Sequence, residues 1–193
     1  CAKRKKIPIF HLEAGNRCFD NRVPEEINRK LIDGLADINL TYSEVAKQNL
    51  IKENFDLDKI IKVGSPLAEV FEHYQQEIEN SQVLLKLKIR KNNYFLVSCH
   101  REENVDCNKN LKTIFSTLNE LAIKYKVKII VSTHPRTKIR LKANKIKFSK
   151  NIIFLNPLSF FDYVKMQKNA KLTISDSGSI TEESNILKFA AVN

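Results

Sequence analysis

Short apolar runs alternate along the chain with segments whose apolar positions recur every three or four residues. The runs IPIF (7–10), INLT (38–41), KIIKV (59–63), YFLVSC (94–99), KIIVST (128–133), NIIFL (151–155), LTISD (172–176) and FAAV (189–192) have the length and continuous hydrophobicity of buried strands. Between them the spacing predicts helices. Pro24 suits a first helical position, and the dipole of that helix favours Glu25 and Glu26 in its first turn. Ser43 is placed to cap SEVAKQNLIKEN, and a longer, broken helical stretch covers 67–88. NLKTIFSTLNELAIKY (110–125) sets Leu111, Ile114, Leu118, Leu121 and Ala122 on one face. Apolar strands regularly separated by helices form parallel sheets covered on both faces, so the expected class is α/β. Three strands precede the charged helical stretch and five follow it. This divides the chain into residues 1–65, the end of one domain, and 66–193, most of a second.

Ligands of open α/β sheets gather beyond the carboxyl ends of the strands, so the residues just after each run carry the most information. LTISDSGSITEES (172–184) runs from a strand through Asp176, Ser177, Gly178 and Ser179 into a helix bearing Glu182 and Glu183. Backbone N–H groups and hydroxyls at such a turn suit a pyrophosphate, and a carboxylate one turn on suits ribose hydroxyls. A plain helix cap with acids near its dipole is the competing reading. SCHREEN (98–104) places His100 and Arg101 at another strand end, as a phosphate grip or as a hydrogen-bonded structural pair, with Asn104 or Asp106 as a cap. STHPRT (132–137) adds His134 and Arg136, a weaker signal because Pro135 suits a helix start. HLEAGNRCFDNRVPEEINRK (11–30) carries Glu13, Glu25 and Glu26 around one glycine. Carboxylates in different environments can take and return a proton. Glu13, directly after the strand, and Glu25, at the helix start, are the candidates; Glu26 reads as decoration of the helix terminus.

Composition narrows the class further. The 193 residues include 33 Lys or Arg against 22 Asp or Glu, a formal net charge of +11. The acid-free run RTKIRLKANKIKFSK (136–150) holds a single aromatic, Phe148, too few for a platform that stacks bases, so nucleic acid is not an expected partner. No run approaches the roughly 18 unbroken apolar residues of a membrane span. Four scattered cysteines without close pairs point to reduced thiols in the cytoplasm and away from zinc. A start at Cys1 just before a strand, and a stop at FAAVN within another, read as an interior piece of a longer protein.

With HLEAGNRCFD, PEEINRK, SCHREEN, THPRT and DSGSITEES in this order, the chain resembles the non-hydrolysing UDP-N-acetylglucosamine 2-epimerases from end to end. The wording of NRCFDNRVPEEINRK, HREENVD and FFDYVKMQ resembles a branch that converts UDP-N-acetyl-L-talosamine to UDP-N-acetyl-L-fucosamine for capsule or O-antigen synthesis. The resemblance implies two Rossmann-like domains of glycosyltransferase B type, the first incomplete at its N-terminus. It also implies a UDP-sugar substrate, a homodimer when full length, and chemistry without metal or other cofactor. UDP leaves with the C2 proton to give a 2-acetamidoglycal, then adds back after the proton returns to the opposite face. By position, Glu13 and Glu25 match the acid–base carboxylates, and His100, with Arg101 beside it, a contact to the diphosphate. Ser177 and Gly178 match the pyrophosphate loop and Glu183, with Glu182 beside it, the ribose ligand; Arg17 is a further diphosphate contact. His134 and Arg136 fall at a second UDP-sugar site of some members, where Pro135-Arg136 departs from the usual pattern and activation is not expected. The family's G-x-R-P-E loop, a further catalytic aspartate and C-terminal uridine contacts lie outside these residues, so the chain alone is not expected to be competent. A hydrolysing epimerase and a glycosyltransferase of the same fold are the alternatives.

Overall fold

The computed structural model describes residues 1–101, 104, 106–133, 137, 139–141 and 148–193. They form two units, Cys1–Ala68 and Glu69–Asn193. In the first, β1 (Phe10–Leu12), β2 (Ile38–Thr41) and β3 (Ile60–Lys62) make a parallel sheet in the order β1-β2-β3. Helices α1 (Pro24–Leu35) and α2 (Glu44–Lys52) connect them. Pro24 opens α1, and the Ser43 hydroxyl accepts from the Ala46 N–H at 3.1 Å to cap α2. Ala14, Leu50 and Ile60 are the buried centre of this unit.

The first strand differs from its expected place and burial. It begins at Phe10 rather than Ile7, because Pro8 lacks the N–H that a ladder needs and Ile9 spends its own N–H on the Asp37 carboxylate at 2.9 Å. As the edge strand, bonded only to β2, it also leaves Phe10 and Leu12 exposed where a buried strand was expected.

The chain continues through three short helices, α3 (Pro66–His73), α4 (Gln75–Asn80) and α5 (Val83–Lys86), the expected broken stretch. The second unit's sheet contains β4 (Tyr94–Ser98), β5 (Lys128–Ser132), β6 (Ile152–Leu155), β7 (Leu172–Ser175) and β8 (Ala191–Val192), all parallel, in the order β6-β5-β4-β7-β8. Helices α6 (Asn108–Tyr125), α7 (Phe160–Asn169) and α8 (Ile180–Leu187) accompany it. Alternate residues of the central strands feed opposite cores. Phe95, Val97, Ile129 and Val131 pack with Leu111, Phe115, Leu118 and Ala122 of α6. Tyr94, Leu96 and Ile130 pack with Met166 of α7 and Val83 of α5. Both faces are therefore covered, which is why these strands read as unbroken apolar runs. The Tyr94 hydroxyl, inside this core, donates to the Met166 carbonyl at 2.6 Å.

The buried stripe of α6 is centred on Phe115, which the sequence reading passed over; Ile114 and Leu121 lie at its margin. The Phe115 ring meets Phe148 and Phe154 at centroid distances of 5.5 and 5.8 Å. Phe115→Ala should cost about 3–5 kcal/mol in chemical denaturation. On the same helix, Ile123→Ala, at a residue 68% exposed, should stay within roughly 0.5 kcal/mol of the parent.

Candidate functional site

The loop after β1 is built around glycine. Gly15 has φ 77°, and a Cβ there would lie 2.2 Å from the Ala46 carbonyl oxygen, so only glycine lets the loop lie against α2. Its N–H points at the Asp33 carboxylate, 3.3 Å from Oδ2, and its carbonyl accepts from Asn49 Nδ2 at 3.0 Å. Asp33 is fully buried and also faces His11 Nδ1 and Arg17 Nη2, each at 2.7 Å. Glu13 takes the left-handed conformation, φ 68°, which the pinned neighbours hold against its intrinsic cost. Its exposed carboxylate accepts from Asn16 Nδ2 at 2.9 Å and lies 3.8 Å from the Arg29 guanidinium. Glu25 stands exposed in the first turn of α1.

Two expectations for this loop need correcting. Arg17 does not offer its guanidinium to solvent: the side chain is buried, donates from Nε and Nη2 to Glu53 at 2.7 and 2.6 Å, and pairs with Asp33. The Glu53 bonds, then the Asp33 pairing, outweigh burial and raise its hold on the proton. Burial would otherwise leave the charge uncompensated, so the pairs tie Arg17 into the loop's framework. Glu26 is no surface decoration either. It is fully buried and accepts from the Cys18 and Phe19 N–H groups at 2.9 and 3.3 Å, closing the segment back on α1. Burial opposes its charge, but the Cys18 bonds and Lys30 prevail and hold its carboxyl below the usual range.

In the second unit the strand order reverses between β4, bonded to β5 on one side, and β7 on the other. A crevice opens beyond the strand ends at such a reversal. There lie His100 and Arg101 after β4, and Asp176, Ser177, Gly178 and Ser179 after β7. Asp176 ties the two together. Its carboxylate accepts from the His100 N–H at 3.1 Å, the Arg101 N–H at 2.9 Å, Asn104 Nδ2 at 3.0 Å and Cys99 Sγ at 3.2 Å. His100 Nδ1 stands 3.1 Å from Oδ1. Burial works against this charge, yet the donors, led by the Asn104 amide, win and lower its pKa. Asn104, expected as a cap, spends its amide here. Cys99 is the reverse case: burial first, then the Asp176 charge, pushes its thiol up to about 12.

The serine loop is internally braced. Ser177 and Ser179 hydroxyls meet at 2.9 Å, and Ser179 Oγ donates to Glu183 Oε1 at 2.6 Å. Gln167 of α7 donates to the other Glu183 oxygen at 2.6 Å. Ser179 is the N-cap of α8 but makes no side-chain cap bond, so its hydroxyl positions Glu183 instead of the helix start. A Cβ on Gly178 would come within 3.7 Å of Arg101 Nη2, which sets that guanidinium beside the loop. The Tyr163 hydroxyl reaches Ser98 and Ser175 beneath the reversal, and burial raises its pKa. The crevice thus gathers His100, Arg101, Ser177, Gly178 and Glu183; Glu182 is on the same first turn of α8. Asp176 was visible in the DSGS run but not its part, while Tyr163 and Gln167 stood within FFDYVKMQ, quoted for its resemblance, without being singled out as site residues. His134 and Arg136 lie outside the described residues. Among those described, no group of three His, Cys, Asp or Glu could hold a metal ion, and no helix is long and apolar enough to cross a membrane.

Open parallel sheets with their polar side chains gathered at a strand-order reversal define a doubly wound α/β protein, and the fold is of glycosyltransferase B type. The chain belongs to the UDP-N-acetylglucosamine 2-epimerase family, whose model matches residues 1–193. It resembles the solved UDP-N-acetylglucosamine 2-epimerase of Rickettsia bellii, 46% identical with a TM-score of 0.86 over 100% of this chain and 51% of that one. The Methanocaldococcus jannaschii UDP-GlcNAc 2-epimerase, solved in complex with UDP-GlcNAc and UDP, is 37% identical with a TM-score of 0.88 over 98% of this chain and 54% of its own. A Pseudomonas aeruginosa UDP-2,3-diacetamido-2,3-dideoxy-D-glucuronate 2-epimerase is 30% identical over 94% of this chain and 50% of its own. The chain spans about half the length of the relatives it matches.

Two outcomes follow from the burial of these groups. A thiol reagent should modify exposed Cys1, Cys18 and Cys107 quickly and buried Cys99 only on unfolding, as a time course of labelling would show. Glu26→Gln should lower stability by about 1–3 kcal/mol at neutral pH, since it puts an amide donor against backbone donors. The parent's advantage is complete above the ordinary value of 4.5 and fades as pH falls through the lowered native value, so urea midpoints of the two should converge in acid.

Proposed function

We propose that this protein inverts C2 of a UDP-2-acetamido sugar by eliminating and re-adding UDP. The observation that carries the reading is the meeting of His100, Arg101, the Ser177–Gly178 turn and Glu183 at one strand-order reversal, in a chain of this family. The complex of the Methanocaldococcus jannaschii relative with UDP-GlcNAc and UDP supports a UDP-sugar as the ligand.

In this reading His100 and Arg101 take the diphosphate together with the backbone of Ser177 and Gly178. Glu183, with Glu182 beside it, accepts from the ribose hydroxyls. Glu13 and Glu25 handle the proton. As the C2–H bond breaks, a carboxylate takes the proton, the C1=C2 bond forms, and the C1–O electron pair leaves with UDP. Return of a proton to the other face and re-addition of UDP at C1 complete the inversion. Positive groups at the diphosphate lower the cost of the charge that builds on the leaving oxygen. A carboxylate positioned at C2 contributes typically 10²–10⁴-fold. Among substrates, the wording of 16–30, 100–106 and 160–167 favours UDP-N-acetyl-L-talosamine and UDP-N-acetyl-L-fucosamine. The setting would be cytoplasmic supply of precursors for capsule or O-antigen, by a homodimer.

Incubation of the protein, with its upstream residues restored, with UDP-2-acetamido sugars in D₂O, read by NMR at C2, tests this. The expected result is deuterium at C2 of a UDP-linked epimer, and the sugar that reacts names the branch. Glu13→Gln should lose this exchange by at least about 10²-fold while UDP affinity by calorimetry is unchanged. Free sugar with UDP would mark the hydrolysing reaction instead. Retained protium despite tight UDP binding would leave glycosyl transfer as the better reading.

A further inference from the structure

Asp176 matches none of the substrate-binding or acid–base parts assigned above, yet several donors converge on its carboxylate. Four of them, the His100 and Arg101 N–H groups, Asn104 Nδ2 and Cys99 Sγ, point at its two oxygens within 2.9–3.2 Å. Only an acceptor without protons of its own can serve them all, which a carboxylate does and an amide does not. Its carboxylate comes from the turn after β7, while every one of these donors follows β4. It therefore straps the segment after β4 to the turn after β7, just beyond the last paired residues of the two strands.

The strap also faces the imidazole. With His100 Nδ1 3.1 Å from Asp176 Oδ1, a bare nitrogen lone pair would repel the carboxylate, whereas an Nδ1–H is attracted to it. The neutral ring has one proton for two nitrogens. Held on Nδ1, it leaves Nε2 as the nitrogen that can pick up a second proton and meet an anion. We propose that Asp176 is a positioning residue for His100: it fixes the imidazole in the Nδ1–H tautomer and holds the ring at the crevice with Nε2 available to the diphosphate. This rests on the reading of the crevice as a diphosphate site, and it assigns how that site's histidine is set.

The test uses the full chain labelled with ¹⁵N-histidine, with His100→Ala to identify the His100 signals. Long-range ¹H–¹⁵N correlation at a pH where the ring is neutral should show His100 as the Nδ1–H tautomer; the Nε2–H tautomer would overturn the proposal. Asp176→Asn should mix the tautomers and weaken UDP binding by calorimetry roughly 10- to 100-fold. In the His100→Ala background the same substitution should change affinity little, because the effect passes through the ring. An equal loss in both backgrounds would make Asp176 a fold-holding residue only and overturn the proposal. Should Asp176→Asn misfold, the tautomer of the parent chain still decides. Should the parent not bind UDP at all, the diphosphate reading fails by itself, and the tautomer alone decides whether Asp176 sets the ring.

Discussion

Parallel pairing of β4 with β5 on one side and β7 on the other is the constraint from which the second unit follows. The chain leaves β4 toward β5 on one side and leaves β7 toward β8 on the other, so the loops after β4 and β7 diverge and leave a crevice. Backbone donors just past the end of β4 then need acceptors from another segment. Asp176 answers this: one carboxylate takes up the donors at the end of β4 from the start of the β7 loop. The arrangement brings polar side chains 75 residues apart to one place without any local sequence relation between them.

The first unit uses the same device in another setting. Asp33 and Glu26 are buried carboxylates, and each accepts from the backbone of the loop that follows β1. Arg17 pairs with Asp33 in the interior, and Glu53 pairs with Arg17 in turn. The exposed Glu13 is thus carried on a segment whose shape is set from beneath by the buried side chains of Asp33, Arg17 and Glu26.

Much of this protein was legible along its length. Continuous apolar runs such as YFLVS and KIIVS can only be strands buried on both faces, and the helical spacing between them then requires parallel sheets. The caps of α1 and α2 were readable for the same reason, since Pro24 and Ser43 act within four residues of their own positions. Strand-end polar residues could be singled out because α/β sheets place ligands there. Burial was less legible. Glu25 and Glu26 are adjacent and chemically alike, yet one is exposed and the other enclosed, because a helix turns neighbours 100° apart and only packing selects the inward one.

The sequence by itself determined the element types, their order and the kinds of side chain gathered at strand ends, because these depend on periodicity and on interactions within a turn or two. Tertiary structure alone decided which of those side chains are enclosed and paired and which stand exposed. Arg17 looked like an anion contact until its partners, Asp33 and Glu53, lay 16 and 36 residues away along the chain but within hydrogen-bond reach. Asp176 looked like part of a serine loop until the β4 end was set against it. A polar group's part depends on what desolvates and pairs it, and those neighbours are chosen by strand order rather than by sequence distance.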